Sequence, residues 1–153
     1  MNNNIPLDYA NSLMYELEKA FCDERGKGAR FRMTKVGYQY FEEKVRPLLT
    51  SAEVADILGK IQSVLKGERI VADLSYSQEE RLLKVSVQGC IHRAVEEKML
   101  AKEVEPFTCV PANLIVLAIE EKLDRPAELA EIKLEDGACN ILIVLFEQRP
   151  FLG

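Results

Sequence analysis

The chain contains no tryptophan, which excludes a Trp-anchored binding surface. It also lacks long apolar runs. The longest wholly apolar stretches, Leu114 to Ile119 and Ile141 to Phe146, are six residues each, far short of the roughly 20 that cross a bilayer. Met1 to Pro6 is polar and Asn-rich, with no basic region followed by an apolar run, so no secretory signal is expected. No membrane partner is expected, and the reading is a cytoplasmic protein. The four cysteines, at 22, 90, 109 and 139, include no Cys-x-x-Cys pair and match no compact disulfide framework. In a reducing compartment they stay free. No internal repeat or low-complexity tract is present. The net charge of -5 favours solubility and gives no reason to expect direct binding to nucleic acid.

What is present fits one domain over 1–153, with a helical part at 1–67 and an α+β core at 68–148. The 48% apolar content is ordinary for a globular chain of 153 residues. Ala10, Leu13, Met14, Leu17 and Phe21 recur at three and four residues and share one helix face. Gly26-Lys27-Gly28 ends that helix. Tyr40, Phe41, Val45, Leu48 and Leu49 suggest a second helix, disturbed near Pro47. Thr50-Ser51-Ala52-Glu53 reads as a capping box opening a third, which Gly67 closes.

The period then changes. Ile70, Ala72, Leu74 and Tyr76 alternate with polar neighbours, as do Leu83, Val85 and Val87, so a hairpin with a loop of about five residues is expected. An amphipathic helix follows from Ile91, and another from Val110 with Pro111 pre-organised in its first turn. Ala130, Ile132 and Leu134, the Asp136-Gly137 turn and Cys139 to Phe146 make a second hairpin. The expected fold is α+β: N-terminal helices, then β-β-α-α-β-β, with an antiparallel sheet of about four strands and helices on one face. The last strand is apolar on both faces, so N-terminal helices or a second subunit must cover its outer side; a homodimer is the favoured reading.

Cys90, His92, Cys109 and Cys139 are the candidates for chemistry. All three cysteines fall at element ends, and Cys109 stands at a helix start, where free amides and the helix dipole favour a thiolate. The four residues are candidate ligands for zinc or iron. A nucleophilic cysteine would have only His92 or a carboxylate as its base. A plain core role stands beside these readings, because free cysteine packs like a small hydrophobe. Arg25 to Lys35 forms a local basic segment, in which Arg30 and Arg32 are candidates to hold a ligand's acidic end. Tyr38, Tyr40 and Phe41 either fill the core or line an apolar pocket. Glu96-Glu97-Lys98 and Glu120-Glu121 read as solvated faces.

Residues 69–146 resemble the 4-vinyl-reductase domain family. The resemblance rests on Gly89-Cys90, Cys109-Val110-Pro111, Leu123-Asp124-Arg125-Pro126, Glu131 and Gly137-Ala138-Cys139. It departs from the family pattern at Val110, which separates cysteine from proline, and at Ile132 to Leu134, which offer no further cysteine. It implies a dimeric sensor or carrier domain that binds a small hydrophobic or aromatic molecule between helices and sheet. A metal-dependent or redox enzyme, and an assembly or adaptor module, are the alternatives.

Overall fold

A computed structural model describes residues 5–26, 36–104 and 109–147. Helix α1 (Leu7–Arg25) ends at Gly26, whose φ of +63° costs little without a Cβ. Lys27 and Gly28 lie outside the described residues. The disturbance expected at Pro47 is real. A short helix α2 (Tyr38–Tyr40) widens into a π turn (Phe41–Val45) and then tightens into a 3-10 turn (Arg46–Leu48). Proline carries no N–H for the α-helical ladder, so a regular helix cannot continue there.

Helix α3 (Val54–Gly67) starts later than the capping box implied. Glu53 is its N-cap and makes no side-chain cap; Ser51 Oγ instead accepts the Glu53 amide at 2.9 Å, a local turn before the helix. Strands β1 (Asp73–Glu79) and β2 (Leu82–Gln88) follow, then α4 (Arg93–Ala101), α5 (Val110–Leu123), β3 (Ala127–Glu135) and β4 (Ala138–Leu145). The sheet is antiparallel throughout, in the order β1-β2-β4-β3. The two hairpins therefore join through β2 and β4, where Val85 stands opposite Ile141.

The first hairpin is tighter than expected. Glu79 pairs with Leu82, so Glu80 and Arg81 alone form the turn. Glu80 carries a φ of +54° with no glycine to ease it. In the second hairpin Asp136 and Gly137 both have positive φ, the backbone that matches the twist of two-residue hairpins.

Period-2 patterning turns Leu83, Val85 and Val87 of β2, and Cys139, Ile141, Ile143 and Leu145 of β4, into the core. Helix α5 packs on β3 on one side and on α3 and the π turn on the other. That position explains why it is apolar all round, with Pro111 to Val116, Ala118 and Ile119 buried. The other face of β4 is half-covered at Leu142 and Val144. The N-terminal helices do not cover it, because they lie with α4 and α5 on the opposite face of the sheet. Helix α1 packs on α4. Its expected apolar face is not in the core: Asn11 and Glu18 are its buried residues, while Leu13 and Leu17 are exposed.

Two glycine-related substitutions test this backbone. A Cβ on Gly89, at φ +64°, would stand 2.6 Å from the Ala72 Cβ at the open end of the first hairpin. Gly89→Ala is expected to cost about 2 kcal/mol in urea denaturation. Glu80→Gly is expected to stabilise by about 1 kcal/mol, because it relieves a left-handed glutamate.

Candidate functional site

The chain around α4 gathers four of the chemically capable groups. Cys90 lies in the turn between Gly89 and α4, Cys109 is the N-cap of α5, and Cys139 is the second residue of β4. Between them stands Glu96, in the first turn of α4 and only 4% exposed. The Cys139 thiol donates to Glu96 Oε2 at 2.8 Å, and the Cys109 thiol also hydrogen-bonds that carboxyl. Cys90 lies close enough to feel the charge of Glu96, and its sulfur accepts the His92 amide at 3.4 Å.

Sequence reading placed Glu96 on a solvated face together with Glu97 and Lys98. The latter two do face solvent: Glu97 pairs with Arg93 at 2.9 Å, and Lys98 lies over the Tyr15 ring. Glu96 belongs to the other face. Its signal in the sequence is its spacing with His92 and Met99, which, with Val95, sets it on the inward side of α4.

Burial controls the electrostatics. Desolvation raises the Glu96 carboxyl above the usual carboxylate range; the thiol hydrogen bonds and nearby Arg93 oppose that rise without cancelling it. Burial also pushes up all three thiols, Cys90, Cys109 and Cys139, and Glu96 adds to each shift. The low-pKa thiol expected at Cys109 is therefore corrected. The N-terminal amides do help it, through Ala112, but complete burial beside a carboxyl outweighs them.

His92 turns away to α1. Asn11 Nδ2 donates to the Ile91 carbonyl at 2.9 Å, which points the Asn11 amide oxygen at His92 Nδ1, 3.1 Å away. That arrangement puts the imidazole proton on Nδ1. Burial lowers the His92 pKa and keeps the ring neutral. Among the described residues, no group of three or more His, Cys, Asp or Glu side chains is arranged to hold a metal ion. Cys139 and Cys109 give their thiol hydrogens to Glu96, Cys90 accepts the His92 amide, and His92 is held by Asn11.

The other candidates do not join this cluster. Phe41 is core, at 1% exposed. Tyr38 lies on the surface, where Arg46 hydrogen-bonds its hydroxyl at 3.2 Å and stacks over both rings while pairing with Glu121 at 2.8 Å. The Tyr40 hydroxyl is enclosed with no hydrogen-bond partner among the described residues. Arg30 and Arg32 lie outside the described residues. Between helices and sheet, where a ligand pocket was expected, Met99, Leu114, Ile115 and Ile119 are fully buried and pack as core. A concavity of about 590 Å³ lies instead on the open face of the sheet. No helix among the described residues is long and apolar enough to cross a membrane. No protein-family model matches the chain, and no curated protein matches it in sequence.

Glu96 generates a pH test. Its native pKa lies above the unfolded one, so its favourable contribution is complete below the ordinary glutamate range. It is lost as pH rises toward the native value, at no more than about 1.4 kcal/mol per pH unit. His92, with a lowered pKa, acts with the opposite sign, losing stability as pH falls through the ordinary histidine range. The readout is therefore a difference. Glu96→Gln keeps an acceptor for the thiols and no longer titrates, so its melting temperature relative to wild type is expected to climb as pH rises from the ordinary glutamate range. Thiol titration with an aromatic disulfide gives a second reading: half-exposed Cys22 reacts in the native chain, and Cys109 and Cys139 react only on unfolding.

Proposed function

We propose that the chain is a non-catalytic binding module that works as a homodimer, and that α1 is its dimer contact. The observation that carries this is the inverted burial of α1. Tyr9, Leu13 and Leu17 stand four residues apart, on one stripe, and are 65%, 46% and 64% exposed. The same helix buries Asn11 and Glu18. A helix this amphipathic is ordinarily held by its apolar side. Here local pattern and burial disagree, and a partner on the stripe removes the disagreement.

A second copy suits the stripe. Packed antiparallel about a two-fold axis near Tyr15, Leu13 meets Leu17 of the second copy, and Tyr9 meets Phe21 of the second copy. Glu24 then faces the N-terminal end of the other α1, which has Pro6 as N-cap and no side-chain cap. The opposed helix dipoles are favourable in that orientation.

The rest of the geometry supports binding over catalysis. The groups that could act as nucleophile or base, Cys90, Cys109, Cys139 and His92, are largely buried and are held in their neutral forms. The meeting of the three cysteines around Glu96 also fits the 4-vinyl-reductase resemblance, which implies a dimer. Met99, Leu114, Ile115 and Ile119 are fully buried between helices and sheet, so this reading places a small hydrophobic ligand on the surface.

Sedimentation equilibrium tests the proposal. Wild type is expected to dimerise, and Leu13→Asp/Leu17→Asp to weaken association at least tenfold, about 1.4 kcal/mol. Both sites are exposed, so circular dichroism and the melting curve should stay near wild type. A wild-type chain that sediments as a monomer at its highest soluble concentration would overturn the reading.

A further inference from the structure

The open face of the sheet lies on the opposite side of the molecule from α1, and its chemistry can be read row by row. Its centre holds Leu82 of β2 beside Val144 of β4, and Lys84 beside Leu142. Leu82 is 37% exposed, and Leu142 and Val144 are half-buried. The outer strands carry acids on the same face. Glu79 pairs with Leu82 and Asp73 with Gln88 on one side; Glu128 pairs with Val144, Glu131 with Leu142 and Glu135 with Ala138 on the other. Lys84 and Lys133 are this face's lysines, and they approach Glu79 at 3.9 Å and Glu131 at 3.4 Å. Asp73 is paired with Lys66 of α3 at 3.5 Å, so Glu79, Glu128, Glu131 and Glu135 against the two lysines leave the face with an excess of two negative charges.

We propose that this face is the docking site for a partner protein's amphipathic helix whose apolar side is flanked by lysine or arginine. Three features set the occupant. The apolar floor of Leu82, Leu142 and Val144 asks for an apolar side. Glu79 at the end of β1 and Glu128, Glu131 and Glu135 along β3 ask for cations on the two flanks, most of all along β3. The span from β1 to β3 is three strand spacings, about 14 Å, which accepts the 10–12 Å width of an α-helix. A second copy of this chain does not fit, because stacking the face on itself opposes two negative surfaces. Nucleic acid is repelled for the same reason.

The test uses the full chain and a fluorescently labelled, helical Leu–Lys peptide of about 14 residues, about 21 Å long, with a Leu–Glu peptide of the same apolar pattern as control. Anisotropy is expected to show binding of the lysine peptide alone, weakened at least tenfold by Glu131→Lys/Glu135→Lys and again by Leu142→Ser. Added salt should weaken it further. Amide chemical shifts in the complex should move at Lys84, Asn140 and Leu142. No binding of the lysine peptide, equal binding of the glutamate peptide, or affinity indifferent to both variants would overturn the proposal. The Leu13→Asp/Leu17→Asp chain is expected to bind the lysine peptide as wild type does, so the fate of the α1 dimer is read separately.

Discussion

The structure depends on one requirement: helix α5 must be covered on every side. Its residues Leu114, Ile115, Val116 and Ile119 are buried almost completely, and each such side chain contributes roughly 1.5–3 kcal/mol when removed from water. No single layer can supply that cover. The sheet supplies one side through β3, and α3 with the π turn supplies the other. The two hairpins are therefore clamped into one sheet whose inner face is apolar and whose outer face is left to solvent. The helical N-terminal part becomes the outer layer of the core.

Polar groups fix how the layers meet. Asn113 is fully buried in α5, and its side chain donates to the Val36 carbonyl at 2.9 Å, tying the start of α2 to the central helix. Arg46 then bridges the 3-10 turn to α5 through Glu121. Glu96 does the corresponding work for α4. By accepting thiol hydrogens from β4 and from the N-cap of α5, it joins three elements that apolar contact alone would leave free to slide. Cys109 and Cys139 there are weak hydrogen-bond donors to Glu96, and burial stabilises their neutral form.

Much of this fold was legible from residue pattern. The change from helical to alternating periodicity near Ile70, the proline opening α5 and the Asp136-Gly137 turn each act locally, so they survive without knowledge of the partners. The convergence of Cys90, Cys109 and Cys139 was also legible, because all three fall at element ends on one side of the β-β-α-α-β-β order. Their company was not. Glu96 carries the letter of a surface residue, and only the packing of α4 against β4 turns it inward. The hollow expected between helices and sheet was filled for a related reason: spacing tells which side chains face inward, but their combined volume decides whether space remains. The five-residue loop of the first hairpin shrank to two because backbone pairing continued through polar Ser77, Gln78 and Glu79, residues whose side chains gave no strand signal.

Helix α1 and the outer face of the sheet pose the same problem in opposite chemical terms. On α1 the stripe of Tyr9, Leu13 and Leu17 is exposed while Asn11 and Glu18 are buried, so the helix is held through Asn11, the Ile91 carbonyl and His92 rather than through its leucines. Such an attachment is specific but shallow, because each neutral hydrogen bond contributes only about 1 kcal/mol net. On the sheet the exposed surface is a thin apolar floor between acidic rims, and solvation of those carboxylates offsets the exposure of the floor. The α1 stripe carries no charge along its centre, whereas the floor of the sheet lies beside charges of one sign. The two surfaces therefore differ in chemistry, one an uncharged apolar stripe and one acidic, and between them lies a core that encloses Cys109 and Cys139.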